Sequence, residues 1–262
     1  MKQKKSVIAD RRQKIKRLFS NRQILQITEL SEMFDVSPLT IRRDLEVLES
    51  EGFIERFRGG GQLVGEGNPL TPVYMKKRAT MLKQKQDIAR YVARLVHPGD
   101  TVFLNAGTTT MEVIQRIKNE KIIIATNNAH ACTVMDSCAA SLISTGGEYN
   151  QYSQAYSGIM ATELLLNMNA ALCVLGVDGI SSEAGISSSH YMEAKINRAM
   201  LDRCYGLRVV AADSTKIGKT YNFITSPLSN VNLLVTDSGA DSRELDRFRE
   251  QGIEVVLADV FP

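Results

Sequence analysis

Tryptophan is absent from the 262 residues, histidine occurs three times and cysteine four times. Cys132, Cys138, Cys173 and Cys204 form no Cys-x-x-Cys pair, and His97, His130 and His190 are equally scattered. The spacing therefore offers neither a zinc site nor a disulfide framework, and reduced packing thiols are expected. No apolar run approaches the length of a membrane span. The first residues, MKQKKSVIADRRQKIKRLF, are basic but lack the continuous apolar centre of a signal peptide. A cytoplasmic chain with no membrane partner, no metal and no cofactor is expected. Repeats and low-complexity tracts are also missing. Gly218-Lys219-Thr220 looks like the tail of a phosphate-binding P-loop, but that pattern needs glycine at 213, where Asp213 stands.

What is present is an uneven distribution of charge. The whole chain carries only +3, yet residues 1–28 hold nine Lys/Arg against the single acid Asp10, a net +8. Residues 1–58 carry +4, which leaves −1 for the rest. A cationic N-terminal module points to backbone-phosphate contact with nucleic acid.

The stretch Val36–Gly61 explains that charge. Ser37 followed by Pro38 starts a helix, because the hydroxyl caps free N–H groups and proline suits the first helical position. Ile41, Leu45 and Leu48 then form one apolar stripe, with Leu39, Arg43 and Glu46 facing away and Thr40 and Arg42 on its flanks. Gly52 marks the end. The preceding helix runs through 28–34, with Thr28 as cap and Leu30, Met33 and Phe34 facing inward. Residues 53–57 alternate as a strand, and the glycines at 59–61 return it through 62–64. The amphipathic run Ile8 to Phe19 supplies a first helix. Three helices and a two-stranded ribbon make a winged helix-turn-helix, whose second motif helix meets base edges in the major groove of double-stranded DNA. Ser37, Leu39, Thr40, Arg42, Arg43, Arg56 and Arg58 are the expected DNA-binding residues.

Gly65 to Pro72 is punctuated by glycine and proline and marks a boundary. Residues 76–95 read as one basic connecting helix, placed to lie near DNA. The expected organisation is a DNA-binding domain over 1–64 (helix-turn-helix at about 25–44), a linker and helix over 65–95, and an α/β domain over 96–262. In the last, strands at 101–104, 122–126, 142–144, 172–176, 207–212, 233–236 and 255–258 alternate with helices at 109–117, 129–138, 159–166, 191–204 and 243–251. Such alternation implies a mainly parallel sheet covered on both faces. Ligands of such folds bind beyond the carboxyl ends of the strands, and five strand ends here are polar and glycine-bearing. Asn105, Gly107, Thr108, Thr109, Thr110, Asn127, Gly147, Asp178 and Lys216 are the expected effector-binding residues. Asp178 and the asparagines suit hydroxyls, and Lys216 with the threonine loop suits phosphate. Taken alone, Asn105–Thr110 reads equally well as a capped helix start.

ELSEMFDVSPLTIRRDLEVLESEGFIERFRGGG (29–61) resembles the N-terminal signature of the DeoR family of bacterial transcription regulators, with its Val-Ser-x-x-Thr-Ile-Arg-Arg-Asp-Leu core and a wing ending in Gly-Gly. The family commonly has histidine before that pair, where this chain has Arg58. NAGTTT (105–110), TNNA (126–129), Gly146-Gly147, LGVDGIS (175–181), EAKINRAM (193–200) and ADSTKIGK (212–219) resemble the family's C-terminal domain, whose fold is related to ribose-5-phosphate isomerase. Asn105 stands where the family usually has aspartate. The resemblance implies a regulator, a repressor of a carbohydrate operon, that binds an operator as a homo-oligomer (dimer or tetramer) and responds to a phosphorylated sugar or similar metabolite. The competing function is a sugar-phosphate isomerase with a DNA-binding appendage. The isomerases resemble this chain at an Asp-Gly-Ala-Asp-Glu stretch, which here reads Asp178-Gly179-Ile180-Ser181-Ser182. Only the first acid survives, so binding without turnover is expected.

Overall fold

The cap expected at Ser37 forms: its hydroxyl accepts from the Thr40 N–H at 3.3 Å and lies 2.9 Å from the Thr40 hydroxyl. The computed structural model describes residues 11–19, 24–50, 54–57, 59–63, 72–151 and 153–260. The chain divides into two compact units, Met1–Pro72 and Val73–Pro262.

In the first unit, α1 (11–19) is followed by β1 (Ile24–Gln26), α2 (Ile27–Phe34), α3 (Pro38–Ser50), β2 (Ile54–Phe57) and β3 (Gly60–Leu63). The stripe residues Ile41, Leu45 and Leu48 are fully buried, packed with Ile15, Phe19, Leu25, Leu30 and Ile54. Two sequence expectations fail on α2. The helix starts one residue before Thr28, from Gln26, so Thr28 is not its cap. Met33 is exposed, because Ile27, Leu30 and Phe34 already form the i, i+3, i+7 stripe that meets the core. The wing also has a third strand. β1 pairs antiparallel with β3, which pairs with β2. A Cβ at Gly60 would meet the Leu25 carbonyl oxygen at 2.3 Å, so glycine lets β1 close on the wing. Gly52, Arg58 and the 64–71 linker lie outside the described residues, as does Ile8.

Asp44 is the buried polar centre of this unit. Its two oxygens accept from the Nε atoms of Arg11 at 2.6 Å and Arg12 at 2.8 Å, fastening α1 to α3. Two cations of the basic N-terminal segment thus serve the fold instead of phosphate.

In the second unit, α4 (Pro72–Ala79) and α5 (Leu82–Ala93) replace the single connecting helix expected over 76–95. Met81, at φ 55°, breaks it in the left-handed region. Then follow β4 (Thr101–Leu104), α6 (Thr108–Ile117), β5 (Ile123–Thr126), β6 (Ser141–Ser144), the hairpin β7 (Glu148–Asn150) and β8 (Ala155–Ser157), α7 (Gly158–Leu166) and β9 (Ala170–Leu175). β10 (Gly179–Ser181), β11 (Gly185–Ser188), α8 (Tyr191–Asp202), β12 (Cys204–Ala211), β13 (Phe223–Ser226), β14 (Leu233–Thr236), α9 (Ser242–Glu250) and β15 (Glu254–Leu257) complete it. All seven expected strands enter one parallel sheet, in the order β15-β14-β12-β9-β4-β5-β6. The helix expected over 129–138 is only a 3-10 turn, Ala131–Val134.

Alternate residues of each strand enter opposite cores. Val102, Leu104, Val174 and Val209 pack with Ile88, Val92 and Ile114 from α5 and α6. Phe103, Cys173, Leu175 and Val210 pack with Leu165, Ile196 and Phe248 from α7, α8 and α9. The basic helix α5 is therefore a core element, its apolar side buried against the sheet. Cys173 and Cys204 are buried free thiols whose pKa burial pushes up, which keeps them inert packing groups, whereas Cys132 is exposed. Among the described residues no helix is long and apolar enough to cross a membrane.

Asp44→Asn is expected to loosen the first unit. It leaves two guanidinium groups without their buried acid, a loss of about 3 kcal/mol. Hydrogen exchange on the full chain should show α3 amides opening about a hundredfold more often, with β4 and β9 amides unchanged. Unaltered α3 protection would remove Asp44 from its fastening role.

Candidate functional sites

Leu39, Arg42 and Arg43 are exposed at the start of α3 while Ile41 and Leu45 are fully buried, so the cap and stripe dictate which side chains reach outward. Arg42 and Arg43 pair with no acid among the described residues. Ser37 and Thr40 are occupied by the cap they share. Arg56, expected among the DNA-binding residues, is engaged by two acids of α3. Its Nε donates to Glu49 at 2.7 Å and its Nη1 to Glu46 at 3.0 Å, clamping the wing strand to α3. The hydrogen bond from Arg56 lowers the Glu49 pKa. Arg58 lies outside the described residues.

The second site is a cavity of about 490 Å³ in the α/β unit. Its walls follow the carboxyl ends of β12, β9, β4 and β5, four adjacent strands. The order of strands reverses between β4 and β9: the chain proceeds outward from β4 through β5 to β6, then from β9 the other way through β12. Such a switch point is where an open parallel sheet leaves a crevice.

Two asparagines brace that crevice. Asn105, just beyond β4, donates to the Gly176 carbonyl at 2.7 Å and accepts from the Gly176 N–H at 2.8 Å. Its second amide hydrogen reaches Asn197 on α8 at 2.9 Å. A carboxylate could not make the two donations, which gives Asn105 a physical reason to be an amide. Asn127 joins β5 to its surroundings in the same manner, accepting from the Ala106 N–H at 2.7 Å and donating to the Tyr156 carbonyl at 2.9 Å. Both line the cavity, but their polar atoms are largely engaged by protein.

Gly107, Thr108 and Thr109 form the first turn of α6 and face the cavity. The first N–H groups of a helix have no acceptor within it and carry partial positive charge. Among the described residues the Thr108 and Thr109 hydroxyls have no protein partner. Thr110, by contrast, is fully buried and donates to the Asn105 carbonyl at 2.7 Å, so it shapes the loop and does not line the cavity. Gly147 is likewise absent from the walls, because it follows β6, an edge strand away from the switch point. A Cβ there would meet the Ser157 carbonyl oxygen at 2.4 Å, so this glycine serves a close backbone approach.

Lys216 lines the cavity from a short turn after β12 and forms no ion pair among the described residues. The buried Asp213 holds that turn by accepting from the Thr215 N–H at 3.1 Å. Asp178, after β9, accepts from Lys77 at 3.3 Å and from the Ser189 N–H and hydroxyl at 3.1 and 2.8 Å. Burial opposes its charge, but Lys77 and Ser189 outweigh that and hold the carboxyl at about 2. Asp178 is thus an anion at every physiological pH.

Sequence reasoning missed Lys85. It lies on α5, is only 3% exposed, and lines the cavity. Its Nζ donates to the carbonyls of Lys77 and Thr80. Burial lowers its pKa, Asp213 works against that, and Lys216 and Lys77 lower it further. The available signal was its spacing: Lys85 stands three residues before Ile88 and seven before Val92, on the apolar stripe where a lysine is costly.

One histidine and two acids come together beside the cavity. Asp178, His190 and Glu193 bring an imidazole nitrogen and two carboxylate oxygens within 4.8 Å of one another. The Lys77 ammonium on Asp178 competes there with any cation.

Comparison with known proteins matches both units. Residues 11–66 fit the model of the DeoR-like helix-turn-helix domain, and residues 80–238 that of the DeoR C terminal sensor domain. The chain is 31% identical over 238 residues to the transcriptional repressor AccR of Agrobacterium fabrum, covering 88% of this chain and 90% of that protein. It is 28% identical over 230 residues to the lactose phosphotransferase system repressor of Lactococcus lactis, covering 86% and 89%. Among solved structures, ribose 5-phosphate isomerase A of Methanocaldococcus jannaschii aligns with a TM-score of 0.37 and 14% identity, over 50% of this chain and 52% of that one. With a helix-turn-helix unit and a sensor unit matched in that order, the chain belongs to the DeoR family of transcription regulators.

Proposed function

We propose that the protein represses a carbohydrate operon by binding its operator through α3, and that a phosphorylated sugar or similar metabolite in the switch-point cavity modulates that binding. The observation that carries the effector half is the composition of the cavity. An open helix N-terminus and Lys216 share the cavity with an ionised Asp178, so the first two suit an anion and the third suits hydroxyl groups. The name of the Lactococcus lactis relative, a lactose phosphotransferase system repressor, supports a sugar-linked effector. In this reading Gly107, Thr108, Thr109 and Lys216 hold the phosphate, Asp178 reads a hydroxyl, and Asn105 and Asn127 keep the strand ends in place. Catalysis is not part of it: the stretch after Asp178 is Gly179-Ile180-Ser181-Ser182, without the further acids that proton transfer in an isomerase requires.

In the DNA-binding half, Arg42 and Arg43 contact base edges or phosphates from the first turns of α3, and the Leu39 side chain is placed for a thymine methyl. One such helix reads a short half-site. A symmetric homo-oligomer, dimer or tetramer, supplies the second. Ile159 and Met160, both exposed on α7, offer apolar surface for assembly.

Arg42→Ala and Arg43→Ala should each weaken binding to the cognate operator by about 1–3 kcal/mol. Fluorescence anisotropy with operator and scrambled duplexes measures both affinity and selectivity. Wild-type values for both variants would reject α3 as the reading helix.

Lys216→Ala tests the effector half. A thermal-shift screen of sugar phosphates beside the corresponding free sugars should find a phosphorylated ligand that raises the wild-type melting temperature. The same ligand should produce little or no shift in Lys216→Ala. Equal shifts from phosphorylated and free sugar would contradict the anion assignment.

A further inference from the structure

Lys85 is the one buried ammonium of the cavity, and its partners are unusual. It has no carboxylate partner among the described residues. Both of its hydrogen bonds go to carbonyls at the end of α4 and just after it, those of Lys77 and Thr80. An ammonium against the carbonyl end of a helix is a favourable but replaceable arrangement, since a full anion attracts it more strongly than a carbonyl dipole.

The same helix is tied to the cavity a second time. The Lys77 side chain reaches Asp178 at 3.3 Å. Both ties belong to groups that a ligand with an anion and hydroxyls competes for, since Lys85 and Asp178 both line the cavity. Beyond Thr80 the chain passes through Met81 in the left-handed region, a joint between α4 and α5. The two helices differ in what holds them. α5 is built into the sheet core through Ile88, Ala89 and Val92, whereas α4 begins at Pro72, where the chain passes from one unit to the other.

We propose that Lys85 is the residue that makes the cavity selective for anionic ligands, and that its capture by the ligand anion releases the end of α4. This rests on the reading of the cavity as an anion site and adds the residue that reports occupancy. When the cavity is empty, Lys85 holds the last turn of α4. When an anion lies between the α6 N-terminus, Lys216 and Lys85, the Lys77 and Thr80 carbonyls lose their donor and that turn opens. Convergence of Lys77, Lys85 and Lys216 makes the anion favourable, because it relieves the repulsion among them. A neutral sugar offers no such exchange and leaves α4 latched.

The test uses the full chain and inorganic phosphate as probe, in two measurements. In calorimetric titration Lys85→Met should bind phosphate about tenfold or more weakly than wild type, the loss of one charge-assisted contact, while Lys85→Arg retains most of the affinity. In hydrogen exchange, saturating phosphate should speed the exchange of wild-type amides at 77–81 on the order of tenfold. In Lys85→Met those amides should already exchange fast and ignore phosphate. Wild-type affinity in Lys85→Met would overturn Lys85 as the anion reader and leave the anion site itself standing. Unchanged exchange at 77–81 in phosphate-saturated wild type would overturn the release of α4, and this arm needs no variant to fold. Failure of wild type to bind phosphate at all would overturn the anion site and the Lys85 proposal together.

Discussion

A parallel sheet that grows outward in both directions from its centre must part its connections there, and the gap between β4 and β9 is where this protein keeps its polar chemistry. The Asn105 carboxamide closes the floor of that gap by taking both backbone groups of Gly176. Its two-way pairing continues the β4–β9 ladder for one more step with a side chain in place of backbone. Asn127 extends the brace to the next strand. With the floor fixed, the loops that follow the strands can present charges without the strand ends moving. A preorganised site of this type loses little on ordering when a ligand enters. The N-terminus of α6 and the ionised Asp178 both line the cavity above this floor.

The DNA-binding unit solves a different problem, that of a small core. Among the described residues, eight fully or almost fully buried apolar side chains hold it. The buried Asp44 adds a polar fastening that ties α1 to the middle of α3. The cost is that part of the positive charge is neutralised internally, and Arg56 is likewise matched by Glu46 and Glu49. The cations that stay exposed and without an acid among the described residues include Arg42 and Arg43. Of the nine cations in the first 28 residues, Arg11 and Arg12 are matched by Asp44.

Much of this was legible in the sequence because the signals were strong and local. The strands of the parallel sheet are short runs with apolar centres, mostly buried in β4, β5, β9 and β14, and each was readable from its own residues. The α3 cap and stripe were readable for the same reason. β1, at three residues, was too short to carry a period. β10, β11 and β13 (Gly-Ile-Ser, Gly-Ile-Ser-Ser, Phe-Ile-Thr-Ser) resemble loops in composition, and only pairing with one another makes them strands. In the site, Gly107, Thr108, Thr109, Asp178 and Lys216 line the cavity as their place after strands implied. Thr110 and Gly147 do not, because whether a residue turns toward a ligand or toward its own loop is settled by tertiary hydrogen bonds. Lys85 escaped notice because its basic neighbours suggested a surface helix, although its position on the stripe of Ile88 and Val92 argued for burial. The pairing of Arg11 and Arg12 with Asp44, more than thirty residues away, had no local signal at all.

The central claim is that cavity occupancy and operator binding share one equilibrium. Linkage makes this reciprocal: if the effector changes operator affinity by some factor, the operator changes effector affinity by the same factor. The decisive measurement is calorimetric titration of the full chain with a phosphorylated sugar that stabilises it, performed once free and once saturated with operator duplex. The account predicts effector affinities that differ by about fivefold or more between the two. Equal affinity with and without operator would contradict it, leaving a DNA-binding protein with an unconnected pocket.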